Sequence, residues 1–356
     1  VDFQPIERSP EAFQQPVTAD QIVAMTRRAF GPHVRVSAAV ELGNGTYNNT
    51  YRVDLDLAAA GAVVVDDDDG GAPPPGDRSV ILRVAPEPAR QFRTERGFLR
   101  NEVASIPHLA PIAALMPRLL ATDFSHEVVG RDHVFQSLLA GVPAPEGLGA
   151  YPRTAWGAFY RSLGAITRTI HDVRGERFGP VAGPVFATWA EAVTAHLADL
   201  AADLDGLGLD STDVRRLAES AARHRAALNR ITEPRLLHGD LWTVNVMLAP
   251  GAPEPTICGV FDCDRTSWGD PEADWPILLA GRRPGTERDA FWEAYGPLAN
   301  TDEARLRRLI YRASHLGGAR LERHRLGNAA GVAESYAEMR ELLALLPQAD
   351  PACRQS

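Results

Sequence analysis

Three polar side chains close together in this chain could do chemistry as a group. In LLHGDLWTVNVML, which starts at Leu236, Asp240 stands in a turn behind a short apolar run, and Asn245 follows five positions later. In ICGVFDCDRTSWGDPEADW, which starts at Ile257, Asp262 closes a second apolar run. Phosphoryl transfer to an alcohol needs such a set: a carboxylate to aim or deprotonate the hydroxyl, and amide and carboxylate oxygens to ligate magnesium. Each residue alone has a plainer use. A loop aspartate can satisfy main-chain amides, and a strand-end aspartate can cap the next turn. The combination is what favours chemistry.

The totals suit a soluble globular protein. A chain of 356 residues is long enough for about two domains. Hydrophobic residues make up 45% and charged residues 23%, ordinary for a globular protein. No apolar stretch approaches the roughly 20 residues that span a bilayer. The opening VDFQPIERSP has early acids and no apolar core of the kind a secretory signal carries, so the expectation is a cytosolic protein with ATP and magnesium at hand. A formal net charge of −9 disfavours nucleic acid as a partner and tolerates a cationic small molecule. Cys258, Cys263 and Cys353 have neither CxxC nor metal-site spacing and read as free thiols. The chain contains no lysine, so any cation on a phosphate must be arginine, whose planar fork binds phosphate in two-pronged fashion.

Two textures divide the elements that must position these residues. Residues 1–17 read as an irregular arm, and Thr18 as the cap of a helix ending at Phe30 before Gly31. A strand around Val34–Val40 leads into LGNGTYNNTYRVDL, a Gly/Asn-rich hairpin. Residues 58–79, with four consecutive aspartates and three prolines, read as a surface insertion. SVILRVAP is a strand, a helix is expected over about 89–105, and extended segments near 117–121 and 133–139. The first 137 residues are therefore mainly β, 138–150 is a Gly/Pro-rich hinge or linker, and 151–356 is mainly helical. Helical periodicity marks 152–172, 188–206, 211–230, 285–297, 302–326 and 331–346.

The segment His238-Gly-Asp240…Asn245 resembles the HxDxxxxN motif of the aminoglycoside phosphotransferase and choline kinase family, small-molecule relatives of protein kinases. Asp262 falls where that family places its magnesium aspartate, Asp264 matches a second acid often found there, and Gly269, Asp270, Pro271 and Asp274 match a GDPxxD tail. The resemblance spans roughly 38–345 and implies an α+β, bilobal, protein-kinase-like fold, with a small antiparallel-sheet N-lobe and a larger, mainly helical C-lobe. It implies ATP, with GTP as a second option, and Mg2+ held by Asn245 and Asp262. Asp240 would be the catalytic group, supported by His238, Asp264 and Asp270. Gly43 and Gly45 would lie over the phosphates, and Arg83 would contact them with a glutamate partner, Glu102 in first place and Glu95 as rival. Main chain near Ser137 and Leu139 would meet the base, and His171 reads as structural.

Other readings fit less well. VFDCDRT and GDPEAD imitate the two aspartate motifs of haloacid-dehalogenase-like phosphatases, but the four residues between Asp264 and Gly269 leave no room for the required crossover. HGD in place of HRD, and no APE triplet, disfavour a protein kinase. A non-catalytic nucleotide-binding module usually lacks one of the three polar residues kept here. The acceptor is open between an antibiotic of aminoglycoside, peptide or nucleoside type and a metabolite such as choline, ethanolamine, homoserine or a sugar. Trp242 and Trp268 could stack on it or belong to the core, Tyr311 and His315 could line its pocket with Glu322 and His324, and the acids Asp199, Asp203, Asp205 and Asp210 read best as a solvated face. Oligomeric state is not legible.

Overall fold

The structure is a computed structural model that describes residues 1–43, 45–56, 78–274 and 284–347. The expected insertion lies outside these residues, save its last two positions. An N-terminal sheet of six strands has the order β1-β2-β3-β4-β6-β5, with β1 at Asp2–Gln4, β2 at Arg35–Leu42, β3 at Asn49–Asp56, β4 at Ser79–Val84, β5 at Leu119–Asp123 and β6 at His133–Ser137. All pairs are antiparallel except β1 with β2. The irregular arm expected at 1–17 thus begins with a strand, because the open edge of β2 offers it a hydrogen-bonding partner.

Helix α1 (Ala19–Phe30) packs on this sheet through Ile22, Met25, Thr26 and Phe30, one face of a 3.6-residue repeat. Thr18 and Gln21 form a reciprocal capping box at its start, and Gly31, at φ 101°, ends it. The helix expected over 89–105 is shorter. Two 3-10 turns, Pro88–Arg90 and Arg93–Glu95, precede α2 (Phe98–Ser105), because Gly97 at φ 76° takes the left-handed conformation that breaks helical continuity.

The C-terminal part is helical. α3 (Ala144–Gly147) follows the chain crossover, and α4 (Trp156–His171) lies against α8 (Asp289–Tyr295), with Phe159, Leu163, Ile170 and Phe291 in the core between them. A second core gathers α5 (Trp189–Gly206), α6 (Thr212–Arg223), α7 (Arg225–Leu228), α9 (Asp302–Arg325) and α10 (Ala329–Leu345) around Leu197, Leu200, Val214, Leu217, Ile310 and Met339. Periodicity located these helices apart from α3, which falls in the stretch expected as a linker. The expected 211–230 helix divides at His224, outside both α6 and α7.

Two small sheets carry the polar motif. One has the order β11-β10-β7, with β7 at Val142–Pro143, β10 at Val246–Leu248 and β11 at Ile257–Val260. The other has the order β8-β12-β9, with β8 at Gly179–Pro180, β9 at Arg235–Leu237 and β12 at Ser267–Gly269. The β9–β10 loop leaves the second sheet for the first, and the β11–β12 loop returns. Because β9 pairs with β12 and β10 with β11, the two loops run side by side. Asp240 and Asn245 sit on one, Asp262 and Asp264 on the other.

Candidate active site

Gly239 makes the first turn possible. Its φ of 86° is left-handed, and a Cβ there would stand 2.4 Å from the carbonyl oxygen of Arg265 on the neighbouring loop. Beyond it, buried Leu241 anchors the loop and a 3-10 turn at Thr243–Asn245 brings Asn245 back beneath Asp240. The Asn245 side-chain nitrogen donates to the Asp240 carbonyl at 2.7 Å and to its carboxylate Oδ2 at 3.0 Å. The amide oxygen is then the atom turned to other partners. On the second loop, Asp262 has φ 65°, costly for a residue with a Cβ by about 1–2 kcal/mol. Such strain persists where surrounding structure fixes a side chain's direction.

Arg83, near the end of β4, joins the lobes. Its guanidinium donates to Glu102 of α2 at 2.5 Å and to Asp262, and lies 3.6 Å from Asp264. Glu102 is held on its other oxygen by Gln136 at 2.8 Å. Glu102 is therefore the partner of Arg83, and Glu95 pairs with Arg325. Burial raises the Glu102 carboxyl against the opposing pull of Arg83. Burial and the Asp262 charge also push Asp264 well above the usual carboxylate range. Asn101 of α2 ties down this loop by donating to the carbonyls of Asp264 and Thr266, both at 2.8 Å.

Asp240 carries the most informative shift. Burial, with the Asp262 charge, pushes its carboxyl up to about 7, while Arg265 and the bond from Asn245 pull the other way. Arg265 is a residue that the spacing argument missed. It is exposed, its guanidinium lies 5.0 Å over the Phe98 ring, and the charges of Asp264, Asp240, Glu95 and Asp262 favour its charged form. In an arginine-rich chain nothing in the local sequence marks it out.

Deeper support comes from Asp274. Its carboxylate accepts from the amides of His238 (2.9 Å) and Gly239 (3.0 Å) and lies 3.0 Å from His171 Nε2. Burial would raise this carboxyl, but His171 and His238 outweigh it and hold the group below its ordinary value. His171 also meets Tyr295 Oη at 2.8 Å, so its role is structural. The His238 ring is buried with neither nitrogen hydrogen-bonded, and burial lowers its pKa.

Several expected site residues lie elsewhere. Trp268 is core: it packs edge-on to His108 at 5.0 Å, and a Cβ on Gly175 would meet its ring at 2.5 Å. Tyr311 is buried too, donating to Asp270 at 2.8 Å and accepting from Trp189 at 2.6 Å. Asp270 also accepts from Arg307 at 2.9 Å, so it braces α9 against the loop and stands outside the reacting group. Trp242 is half-buried beside Asp240 and His315 is exposed on α9. Asp203 is no part of a solvated face: it accepts from the amides of Arg93 and Thr94 at 2.8 and 3.0 Å. Ser137 donates its amide to the Arg118 carbonyl, and its hydroxyl accepts the Arg118 amide, both at 2.9 Å, so that amide is already paired within the sheet. Leu139 lies beyond β6, with its side chain against Gly259 of β11. Gly43 sits under the Ile6 side chain, and nothing would oppose a Cβ on Gly45. An open hollow of about 500 Å³ behind α2, lined by Gln91, Arg96, Arg100 and Asp132, contains none of the reacting residues.

Among the described residues no three His, Cys, Asp or Glu side chains gather into a protein-only metal cage. A cation between Asn245 and Asp262 would complete its shell from phosphate oxygens and water, as magnesium commonly does. The oxygen donors fit that ion. Among the described residues no helix is long and apolar enough to cross a membrane.

This two-lobed architecture, with two polar loops side by side and Arg83 of the N-terminal sheet reaching Asp262 on one of them, is that of the kinase-like phosphotransferases. The sequence matches the phosphotransferase enzyme family over residues 41–309, and the chain belongs to that family. A thermostable mutant of aminoglycoside phosphotransferase APH(4)-Ia, solved with ADP and hygromycin B, shares the fold at TM-score 0.58 and 17% identity, over 91% of this chain and 98% of that one. The GDP and kanamycin complex of APH(2")-IIia aligns at TM-score 0.59 and 17% identity, again over 91% and 98%. No curated protein shows significant sequence similarity to the chain.

Proposed function

We propose that this phosphotransferase moves the γ-phosphoryl group of Mg-ATP, or of Mg-GTP, to a hydroxyl of a small molecule, and that the acceptor is an antibiotic. The observation that carries the reading is the convergence of Asp240, Asn245 and Asp262 on adjoining loops, with Arg83 reaching Asp262 from the opposite lobe. In it, residues 1–137 bind nucleotide, 138–150 form the hinge, 151–356 supply catalysis and acceptor binding, and the reaction takes place in the cytosol. Asn245 and Asp262 would hold the magnesium, which neutralises phosphate charge when bound. Arg83, steered by Glu102, places a fixed positive charge beside the phosphates. Asp240 accepts or aims the proton of the acceptor hydroxyl, with Arg265 favouring its ionised form. Such catalysis is mainly positioning and electrostatic stabilisation. The solved neighbours crystallised with hygromycin B or kanamycin support an antibiotic acceptor.

The test is nucleotide consumption, with ATP and with GTP, across aminoglycosides, peptide and nucleoside antibiotics, sugars and amino alcohols, and with product mass showing one added phosphate. A hit confined to choline, ethanolamine or another metabolite would replace the antibiotic reading by a metabolic one. Nucleotide binding with no phosphorylated product from any acceptor would make the chain a non-catalytic module.

A further inference from the structure

The turn between β2 and β3 is gripped from two sides. From the N-terminal arm, the Gln14 side chain donates to the carbonyls of Gly45 (3.1 Å) and Asn48 (2.9 Å). From the C-lobe, Glu322 of α9 accepts the Thr46 hydroxyl at 3.1 Å. Nearly one helical turn on, Arg325, the last residue of α9, donates to both carboxylate oxygens of Glu95 at 2.6 Å. Its guanidinium is stacked 3.8 Å over Phe13 and 4.4 Å over Phe92, with Tyr47 at 5.8 Å. Tyr47, from the turn itself, donates to the Glu95 main-chain carbonyl at 3.0 Å. The Tyr47 ring lies 5.1 Å from Phe98, the ring beneath Arg265 in the cleft. A chain of contacts therefore runs from the end of α9, through the turn, to Arg265.

This cluster is an unusual use of charge. The side chains of Arg325 and Glu95 are only 7% and 9% exposed. Charges withdrawn from water to this degree are tolerated where they are paired, here through one guanidinium nitrogen shared by both Glu95 oxygens, with the guanidinium plane stacked on aromatic faces and its buried Nε left without a hydrogen bond. Glu95 is left for it because Arg83 uses Glu102. A Gly/Asn-rich turn has many conformations in isolation, and a ligand that must order it binds more weakly than one meeting it already ordered.

We propose that Arg325 is a positioning residue for the nucleotide's phosphates. Through Glu95 and Tyr47 the acceptor lobe fixes turn residues 45–48 over the triphosphate. This rests on the reading that a nucleotide lies beneath that turn. The full-length protein is titrated calorimetrically with Mg-AMP-PNP, Mg-GMP-PNP, adenosine and guanosine. For whichever base binds, Arg325→Ala is expected to weaken the triphosphate analogue about tenfold and leave the nucleoside nearly unchanged. Tyr47→Phe, which deletes one hydroxyl, should shift the same ratio by less, and decides the matter should Arg325→Ala fail to fold. Arg325→Lys, keeping the charge without the planar group stacked on Phe13 and Phe92, should fall between parent and alanine. Equal weakening of analogue and nucleoside, or an unchanged analogue affinity in a folded variant, would overturn the inference. A parent protein that binds neither analogue would remove the nucleotide reading itself, and this inference with it.

Discussion

Asn245 is bonded back to Asp240: one side-chain nitrogen reaches both the carbonyl and the carboxylate of the residue five positions before it. The pair thereby aims the carboxylate and turns the amide oxygen away from it. Replacing Asp240 by Ala should reduce kcat about 10²–10⁴-fold with little change in nucleotide affinity. Steady-state rates at saturating acceptor check this, and near-parental turnover would take Asp240 out of the chemistry.

The elevated Asp240 pKa gives the reaction a pH limb. The residue works ionised, so kcat/KM should be level above its value of about 7 and fall about tenfold per unit below it. Arg265 stabilises the ionised form, so Arg265→Gln should move the limb to higher pH. A pH–rate profile of both proteins is the measurement. A limb that stays in place in the variant would mean that Arg265 does not act on Asp240.

Gly239→Ala combines a left-handed backbone with a Cβ 2.4 Å from the Arg265 carbonyl oxygen. The conformational strain alone is worth about 1–3 kcal/mol, and the loops must also part. Denaturant melts should show that loss or more, with activity falling alongside. A variant as stable as the parent would mean that the loops are not pressed together here.

Asp274→Asn leaves the amides of His238 and Gly239 facing a neutral acceptor. The parent carboxyl has its pKa lowered in the fold. Its contribution to stability is therefore full above the unfolded value of about 3.9 and disappears as pH falls through the lower folded value. The gap in unfolding free energy between parent and variant should be widest at neutral pH and close in acid. A gap that does not vary with pH would sink the assignment.

The site was legible where its chemistry is local. Asp240, Asn245 and Asp262 stand at short fixed spacings, and the glycine before Asp240 announces the turn. The C-terminal helices showed themselves through apolar periodicity. The choice between Glu102 and Glu95 was harder, since both precede or lie on α2, and only the folded chain shows which reaches Arg83. Arg265 and Arg325 were invisible: their importance comes from aromatic rings and carboxylates brought from distant segments. Trp268 and Tyr311 misled for the converse reason. Each lies near the motif in sequence or in periodicity, yet tertiary packing turned each into the core.

The contacts of Glu95, Thr46, Arg93 and Thr94 with α9 and α5 bear on protein engineering. Grafting the first 137 residues onto another family member's C-terminal half would strand the Glu95 carboxylate without its arginine, and the reciprocal graft would leave Arg325 at the end of α9 as an orphaned cation. A workable chimera would have to carry the final turns of α9 along with the donor sheet.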